Sequence, residues 1–272
     1  MTQSLAGKPA IVTGAGRGFG RAIALALAGA GIPVGLIGRT KSQLEAVREE
    51  IEAAGGKALV VTADVTKPEQ IDAAIKAVRD RFGRIAFLVN NAGQAGPYGP
   101  IGDVDPMAWW RAQEIHVRAP LLFMAGVIPD MRAAGGGRII NIVSKAGMRQ
   151  EPNLSSYSIG KATAINLSSH VNGENSKYGI RVFALQPGDA VTELANQTLS
   201  DPDAQKWMPQ MLEILKQWKA SSDPEPVLEN CGRVCLELLS GGYDALAGHY
   251  LDAEISLDEQ VLNEHAAEAA AK

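Results

Sequence analysis

Short apolar runs alternate along this chain with longer stretches in which apolar positions return every third or fourth place. Ala10-Ile11-Val12-Thr13, Pro33 to Ile37, Ala58 to Val61, Ile85 to Val89, Arg138 to Val143 and Arg181 to Leu185 have strand length and no helical period, so each predicts a buried strand. Between them the pattern predicts helices. Arg21 to Ala30 is rich in alanine and leucine, and Ser42 to Ala54 puts Leu44, Val47 and Ile51 on one side before Gly55-Gly56 stops it. Thr66-Lys67-Pro68-Glu69 has the capping-box pattern for a helix carrying Ile71, Ile75, Val78 and Phe82. Asp105-Pro106 opens a long helix with Asp as N-cap and Pro at the first helical position, and a further helix carries Tyr157 on to about Lys177. Strands alternating with helices imply an α/β fold, a doubly wound parallel sheet covered by helices on both faces. Ligands of such sheets bind outside the carboxyl ends of the strands. No linker or repeat precedes the Ala/Glu-rich tail near Glu264 to Lys272, read as frayed helix, so residues 1–272 are expected to form a single domain.

Composition narrows the function more than the fold. A net charge of −4 without a Lys/Arg block argues against a nucleic-acid groove or a basic membrane-binding face. The most apolar stretch, Val117 to Met131, is interrupted by Arg118, Pro120, Pro129 and Asp130 and is not expected to span a bilayer. The amino terminus runs into Ala10-Ile11-Val12 too soon for a signal peptide. Cys231 and Cys235 lie one helical turn apart with no second pair or His nearby, which suits small core residues better than metal ligands. A cytoplasmic protein without a metal is expected.

Chemistry concentrates at the ends of the predicted strands. The first runs into Gly14-Ala15-Gly16-Arg17-Gly18-Phe19-Gly20 and then a helix, the context in which a glycine turn brings free N–H groups to a phosphate. Tyr157 and Lys161 are four residues apart, so on a helix their polar ends share a face. Beside an ammonium a phenol becomes a usable proton donor and acceptor, although two residues of a solvated face would show the same spacing. Residues 189–226 are long for a connector and read as a substrate lid. Within them Trp207, Met208, Met211, Leu212, Leu215 and Trp218 make a rough helical stripe, either core packing or the wall of an apolar or aromatic ligand site. The loops from Gln94 to Gly102 and from Lys145 to Asn153 are expected to supply the other walls.

Taken together, these marks resemble the short-chain dehydrogenase/reductase family over nearly the whole chain. Thr13-Gly14…Gly18…Gly20 matches its cofactor glycines, Asp64 its acid near the adenine, and Asn90-Asn91-Ala92-Gly93 the motif that supports the central sheet. Ser144 stands thirteen residues before Tyr157, and Pro187-Gly188 with Thr192 looks like the segment that contacts the nicotinamide carboxamide. The resemblance implies a Rossmann-like fold. It implies Tyr157 as proton donor or acceptor, Ser144 as the group that positions the carbonyl, and Lys161 as the group that holds the ribose and lowers the Tyr157 pKa. It extends the cofactor site to Phe19 and Val65, and implies a homodimer or homotetramer packed through the fourth and fifth helices.

One position departs from the family pattern: His116 stands where an Asn is usual. In the family the main-chain carbonyl there helps hold a water of the proton relay behind Lys. Pro120, four residues on, has no N–H to give that carbonyl. Three readings stay open: Pro120 frees the carbonyl for the relay, His116 weakens the relay or carries a proton itself, or His116 is a packed helix residue. At the end of the second strand, Gly38 and Arg39 replace the acid usual in NAD-using relatives. Arg39 and Arg17 suit a 2′-phosphate, so NADP(H) is expected over NAD(H). The expectation is an NADP(H)-dependent oxidoreductase interconverting a small-molecule ketone or aldehyde and an alcohol. Its rivals are an epimerase or dehydratase that oxidises transiently and a dinucleotide-binding sensor or scaffold. The sequence Gly248 to Ala253 lacks the family's common Asp-Gly-Gly ending, and residues 254–272 form a C-terminal extension.

Overall fold

Each apolar run finds its hydrogen-bonding partners in its neighbours, which is how a buried backbone satisfies its polar groups. A computed structural model describes residues 4–270, with side chains for residues 4–266. In chain order the elements are β1 (Ala10–Thr13), α1 (Gly18–Gly29), β2 (Val34–Gly38), α2 (Lys41–Ala53), β3 (Ala58–Thr62), α3 (Pro68–Phe82) and β4 (Phe87–Asn90). There follow α4 (Pro106–Gln113), a π turn (Glu114–Arg118), α5 (Ala119–Ala133), β5 (Gly137–Ile142), α6 (Ser155–Asn175) and β6 (Ile180–Gln186). The remainder comprises α7 (Glu193–Ser200), α8 (Pro202–Trp207), α9 (Pro209–Ser221), α10 (Glu225–Ser240), β7 (Tyr250–Asp252) and α11 (Leu257–Ala270).

The strands form one parallel sheet in the order β3-β2-β1-β4-β5-β6-β7, so the order reverses between β1 and β4. Both faces are buried, and alternation along each strand serves a different helical layer. Val12 and Leu36 face Ile23 and Leu27 of α1, Val47 of α2 and Val234 of α10. Ile11 and Leu88 face Val78 of α3, Phe123 of α5 and Val171 of α6. Cys231 and Cys235 are free thiols buried in the first of these layers, as core residues. No helix among the described residues is long and apolar enough to cross a membrane.

Several local expectations need correction. Thr66 does not cap α3, because Pro68 at the first position makes Lys67 the N-cap; Thr66 gives both its N–H (2.9 Å) and its hydroxyl (2.8 Å) to Asp64 Oδ1 instead. Asp105 does cap α4, accepting from the N–H groups of Met107 (2.9 Å) and Ala108 (3.3 Å). The long helix that it opens is interrupted by the π turn, just before the proline that lacks a helical donor. The stripe from Trp207 to Trp218 is two helices rather than one, because Pro209 starts α9 afresh. β7 was absent from the expected strands, being three residues long and flanked by turns.

The C-terminal extension returns to the sheet. Gln260 accepts from Asp252 N–H (2.9 Å) and donates to the carbonyls of Asp252 (3.0 Å) and Ile255 (2.9 Å), while Leu257 is buried in the core. The tail read as frayed is helical through Ala270, and residues 271–272 lie outside the described residues. Gln260→Ala strips the edge strand of these partners and should lower stability by about 1–3 kcal/mol, measured as a shift in the urea midpoint.

Candidate active site

Sheet order brings the strand-end motifs to one place. Beyond the carboxyl ends lies a single cavity of about 880 Å³, lined at one side by Gly14, Arg17, Gly38, Arg39 and Asp64 and in its middle by Asn91, Ser144, Tyr157 and Lys161. Gly18, Phe19, Gly20, Val65, Ala92, Gly93, Pro187, Gly188 and Thr192 also line it, so all the residues expected to bind cofactor meet here.

The glycine turn is shaped by close approach. A Cβ on Gly20 would lie 2.2 Å from the Gly14 carbonyl oxygen and 2.5 Å from Asn91 Nδ2. Only glycine lets α1 begin so close to β1. Thr13 and Asn91 clasp the turn: Thr13 Oγ1 accepts from the N–H groups of Asn91 (2.9 Å) and Ala92 (3.0 Å), and Asn91 Nδ2 donates to the Thr13 carbonyl (2.9 Å). The result is a backbone cradle at a helix N-terminus, where free N–H groups and the helix dipole favour a phosphate. Asp64 keeps a lowered pKa: burial opposes this, but the bonds from Thr66 and the charges of Arg39 and Lys67 outweigh it.

The groups expected to handle a proton sit just past β5 and in the first turns of α6. Lys161 is 6 % exposed and donates from Nζ to the Ile142 carbonyl at 2.8 Å, with Nζ 5.6 Å from the Tyr157 ring centroid. Burial lowers its pKa to about 8. Burial also raises the Tyr157 phenol, against a smaller lowering by a hydrogen bond with Ser144. The expected lowering of the phenol by Lys161 is therefore not a property of the chain alone, because desolvation of both groups dominates.

His116 is not among the residues that line the cavity. It is 2 % exposed, lies behind the cavity wall, and meets Tyr157 edge-on with ring centroids 5.2 Å apart. Its Nε2 lies 2.8 Å from the Gln94 carbonyl, which only accepts, so Nε2 carries the proton. Burial, reinforced by the Lys161 charge, lowers its pKa to about 3. His116 is thus neutral across the physiological range and is not the titrating proton carrier considered from sequence. Gln113 Nε2 donates to the Ser156 carbonyl (2.8 Å), and a Cβ on Gly160 would fall 2.8 Å from His116 Cβ, so the π turn packs tightly on α6.

Beyond Tyr157 the cavity becomes apolar. Tyr98 comes from the first expected loop and Leu154 from just past the second, and Met208, Met211, Leu215 and Trp218 from the stripe, whose Leu212 instead packs inward against Met208, Ala204 and Tyr98. The stripe is therefore both wall and core. Sequence reasoning missed the ties that hold this end: Tyr98 Oη with Thr198 Oγ1 (2.7 Å) and Asn153 Nδ2 to the Trp207 carbonyl (2.8 Å). It also missed the Lys145 ammonium, which meets Asp189 (3.1 Å), Asp252 (3.6 Å) and Glu254 (2.6 Å). No spacing signals these ties, since their partners are tens of residues apart.

The short chain dehydrogenase family model matches residues 8–203, which contain the glycine turn, Ser144, Tyr157 and Lys161. The chain belongs to the short-chain dehydrogenase/reductase family. It is an oxidoreductase acting on CH–OH and C=O groups. A short chain dehydrogenase of Pseudocercospora fijiensis is 33% identical over 239 residues, covering 86% of this chain and 76% of that protein. The cis-4-hydroxycyclohexanecarboxylate dehydrogenase of Sinomonas cyclohexanicum is 37% identical over 194 residues, 71% of this chain and 78% of that protein. Among solved structures, a 7α-hydroxysteroid dehydrogenase complexed with NADH and 7-oxo glycochenodeoxycholic acid superposes with a TM-score of 0.78 at 29% identity, covering 91% of this chain and 93% of that one.

The neutral His116 gives this dehydrogenase/reductase a measurable acid sensitivity. Unfolding lets the imidazole take up a proton that the fold refuses, so the stability present above pH 6.5 is lost as pH falls toward about 3. The loss should reach up to about 1.4 kcal/mol per pH unit. His116→Gln, which keeps a donor for Gln94 and cannot titrate, should show a shallower decline of urea-unfolding free energy between neutral and mildly acidic pH. Equal slopes would contradict the assignment.

Proposed function

We propose that this enzyme is an NADP(H)-dependent oxidoreductase that interconverts a ketone or aldehyde and an alcohol, with Tyr157 as proton donor and acceptor. The observation that carries the reading is the convergence of Ser144, Tyr157 and Lys161 in one cavity whose far end presents Arg17 and Arg39. The backbone cradle, free of side chains, fits a pyrophosphate at the head of α1. A bound nicotinamide supplies or accepts the hydride, and the protein's own groups do the rest. Ser144 donates a hydrogen bond to the substrate oxygen and fixes it against Tyr157. Tyr157 passes its phenolic proton to that oxygen during reduction and recovers it during oxidation. Lys161, with its charge beside the ring, favours the phenolate that reduction leaves. Lys161 also holds the ribose. Pro120 gives the His116 carbonyl no helical donor, which supports the carbonyl, rather than the neutral imidazole, as the relay group behind Lys161.

Cofactor choice rests on charge. One relative was solved with NADH, so membership of the family leaves the choice open. Gly38 closes β2 without a carboxylate, and Arg39 beside it lines the cavity with Arg17. That pair suits a 2′-phosphate and not a free ribose hydroxyl. Residues 189–226 act as the substrate lid, closing the apolar end with Met208, Met211, Leu215 and Trp218. Exposed Trp110 of α4, Leu121 of α5 and Ile159 of α6 support a homo-oligomer joined through these helices, and two unpaired buried thiols suit a cytoplasmic enzyme.

Steady-state consumption of NADPH and NADH with a panel of apolar ketones and aldehydes tests the reading. NADPH should be preferred in kcat/KM by at least about tenfold, and Arg39→Ala should remove most of that preference while leaving NADH within about threefold. Equal or better use of NADH by the unaltered enzyme would contradict it.

A further inference from the structure

We infer that the substrate is a neutral apolar ketone or secondary alcohol, and that an otherwise identical molecule bearing a carboxylate is rejected. The inference rests on the oxidoreductase reading above and specifies its substrate class.

A carboxylate brought into a cavity must find a cation or several free donors, or bear the cost of desolvation alone. Lys145 and Arg149 are the cations that line the cavity between Ser144 and the apolar end. Each is already bound. Asp189, Asp252 and Glu254 surround the Lys145 ammonium at 2.6–3.6 Å, and Gln186 Nε2 adds a further bond to Asp189 at 3.3 Å. Glu254 is held below the usual carboxylate range, chiefly by the bond from Lys145, so it remains ionised near neutrality. Glu151, whose side chain is 15% exposed, takes the Arg149 guanidinium. Two cations thus meet four carboxylates, of which Asp189 and Glu151 line the cavity with them, so neither cation is left unpaired for a substrate carboxylate.

The apolar end offers an anion nothing better. The Tyr98 hydroxyl is engaged with Thr198, and burial first, with the Asp201 charge, pushes its pKa up to about 12. Asn153 spends its amide donor on the Trp207 carbonyl. Beside Gln197, what remains is Leu154, Met208, Met211, Leu215 and Trp218, a surface that mainly rewards apolar area. Cations already paired with carboxylates and an apolar wall together leave a substrate carboxylate without a partner. One relative is named for a hydroxycyclohexanecarboxylate and another was solved with a bile acid, so this property would separate the present enzyme from both.

A charge-matched pair tests the inference: methyl 4-oxocyclohexanecarboxylate and the free 4-oxocyclohexanecarboxylate, which share the ring and the carbonyl. Titrated calorimetrically into enzyme saturated with oxidised cofactor, where the ketone is not reduced, the ester should bind at least about tenfold tighter than the acid. Asp189→Asn with Glu254→Gln, or separately Glu151→Gln, should narrow that ratio by several-fold, because each frees a cation. Equal or tighter binding of the acid by the unaltered enzyme, or binding of neither compound, overturns the inference. Reduction of the ester with the reduced cofactor is read separately. Tight binding without turnover would count against the oxidoreductase reading while leaving the charge preference standing.

Discussion

A line of buried hydrogen bonds crosses from the middle of the sheet into the helix that carries Tyr157 and Lys161. Asn90 Nδ2 donates to Asn141 Oδ1 at 2.8 Å, Asn141 Nδ2 to Ser168 Oγ at 2.8 Å, and Ser168 Oγ to the Ala164 carbonyl at 2.7 Å. All three side chains are at most 5 % exposed. Asn90 Oδ1 stays without a partner, but each amide and hydroxyl donor of the line is paired, and an unmade donor at such depth costs more than the bond is worth, so β4, β5 and α6 are held to one register and one rotation. That rotation turns Tyr157 and Lys161 toward the strand ends instead of toward solvent. The bond from Lys161 to the Ile142 carbonyl finishes the same line at its upper end.

Burial then sets the chemistry. Tyr157 is pushed toward the neutral phenol, Lys161 toward the neutral amine, and His116 fully to the neutral imidazole. A site assembled from groups reluctant to ionise responds strongly to any charge brought among them, because screening is weak there. The π turn belongs to the same arrangement. It seats His116 between Gln94, Tyr157 and Gly160, with room on α6 only for a residue lacking a side chain.

Much of this was legible in sequence, for reasons that can be named. The strand and helix order follows from the change of apolar period, and the start of α4 from Asp105-Pro106. The glycine turn, Ser144, Tyr157 and Lys161 were found because their order matches a family pattern, and the fold gathers them into one cavity. Pro120 was visible as a residue without an N–H, yet the π turn depends on packing that a one-dimensional pattern does not carry, and the break that Pro209 makes between α8 and α9 went unread. The Thr66 capping box failed because Pro68 moves the N-cap to Lys67, and Thr66 turns to Asp64 instead. The readings of His116 stayed open in the sequence because pKa follows burial, and burial is a tertiary fact. Lys145 stayed invisible for a similar reason: Asp189, Asp252 and Glu254 reach it from just after β6, from the last residue of β7 and from just past it.

The central claim is that Tyr157 moves the proton while the cofactor site is built independently of it. Turnover and NADPH affinity measured together for Tyr157→Phe test this most directly. The account predicts that kcat falls by about 100- to 10,000-fold, while the cofactor Kd changes by less than about threefold. Retention of more than about a tenth of the activity, with the cofactor still bound, would contradict it.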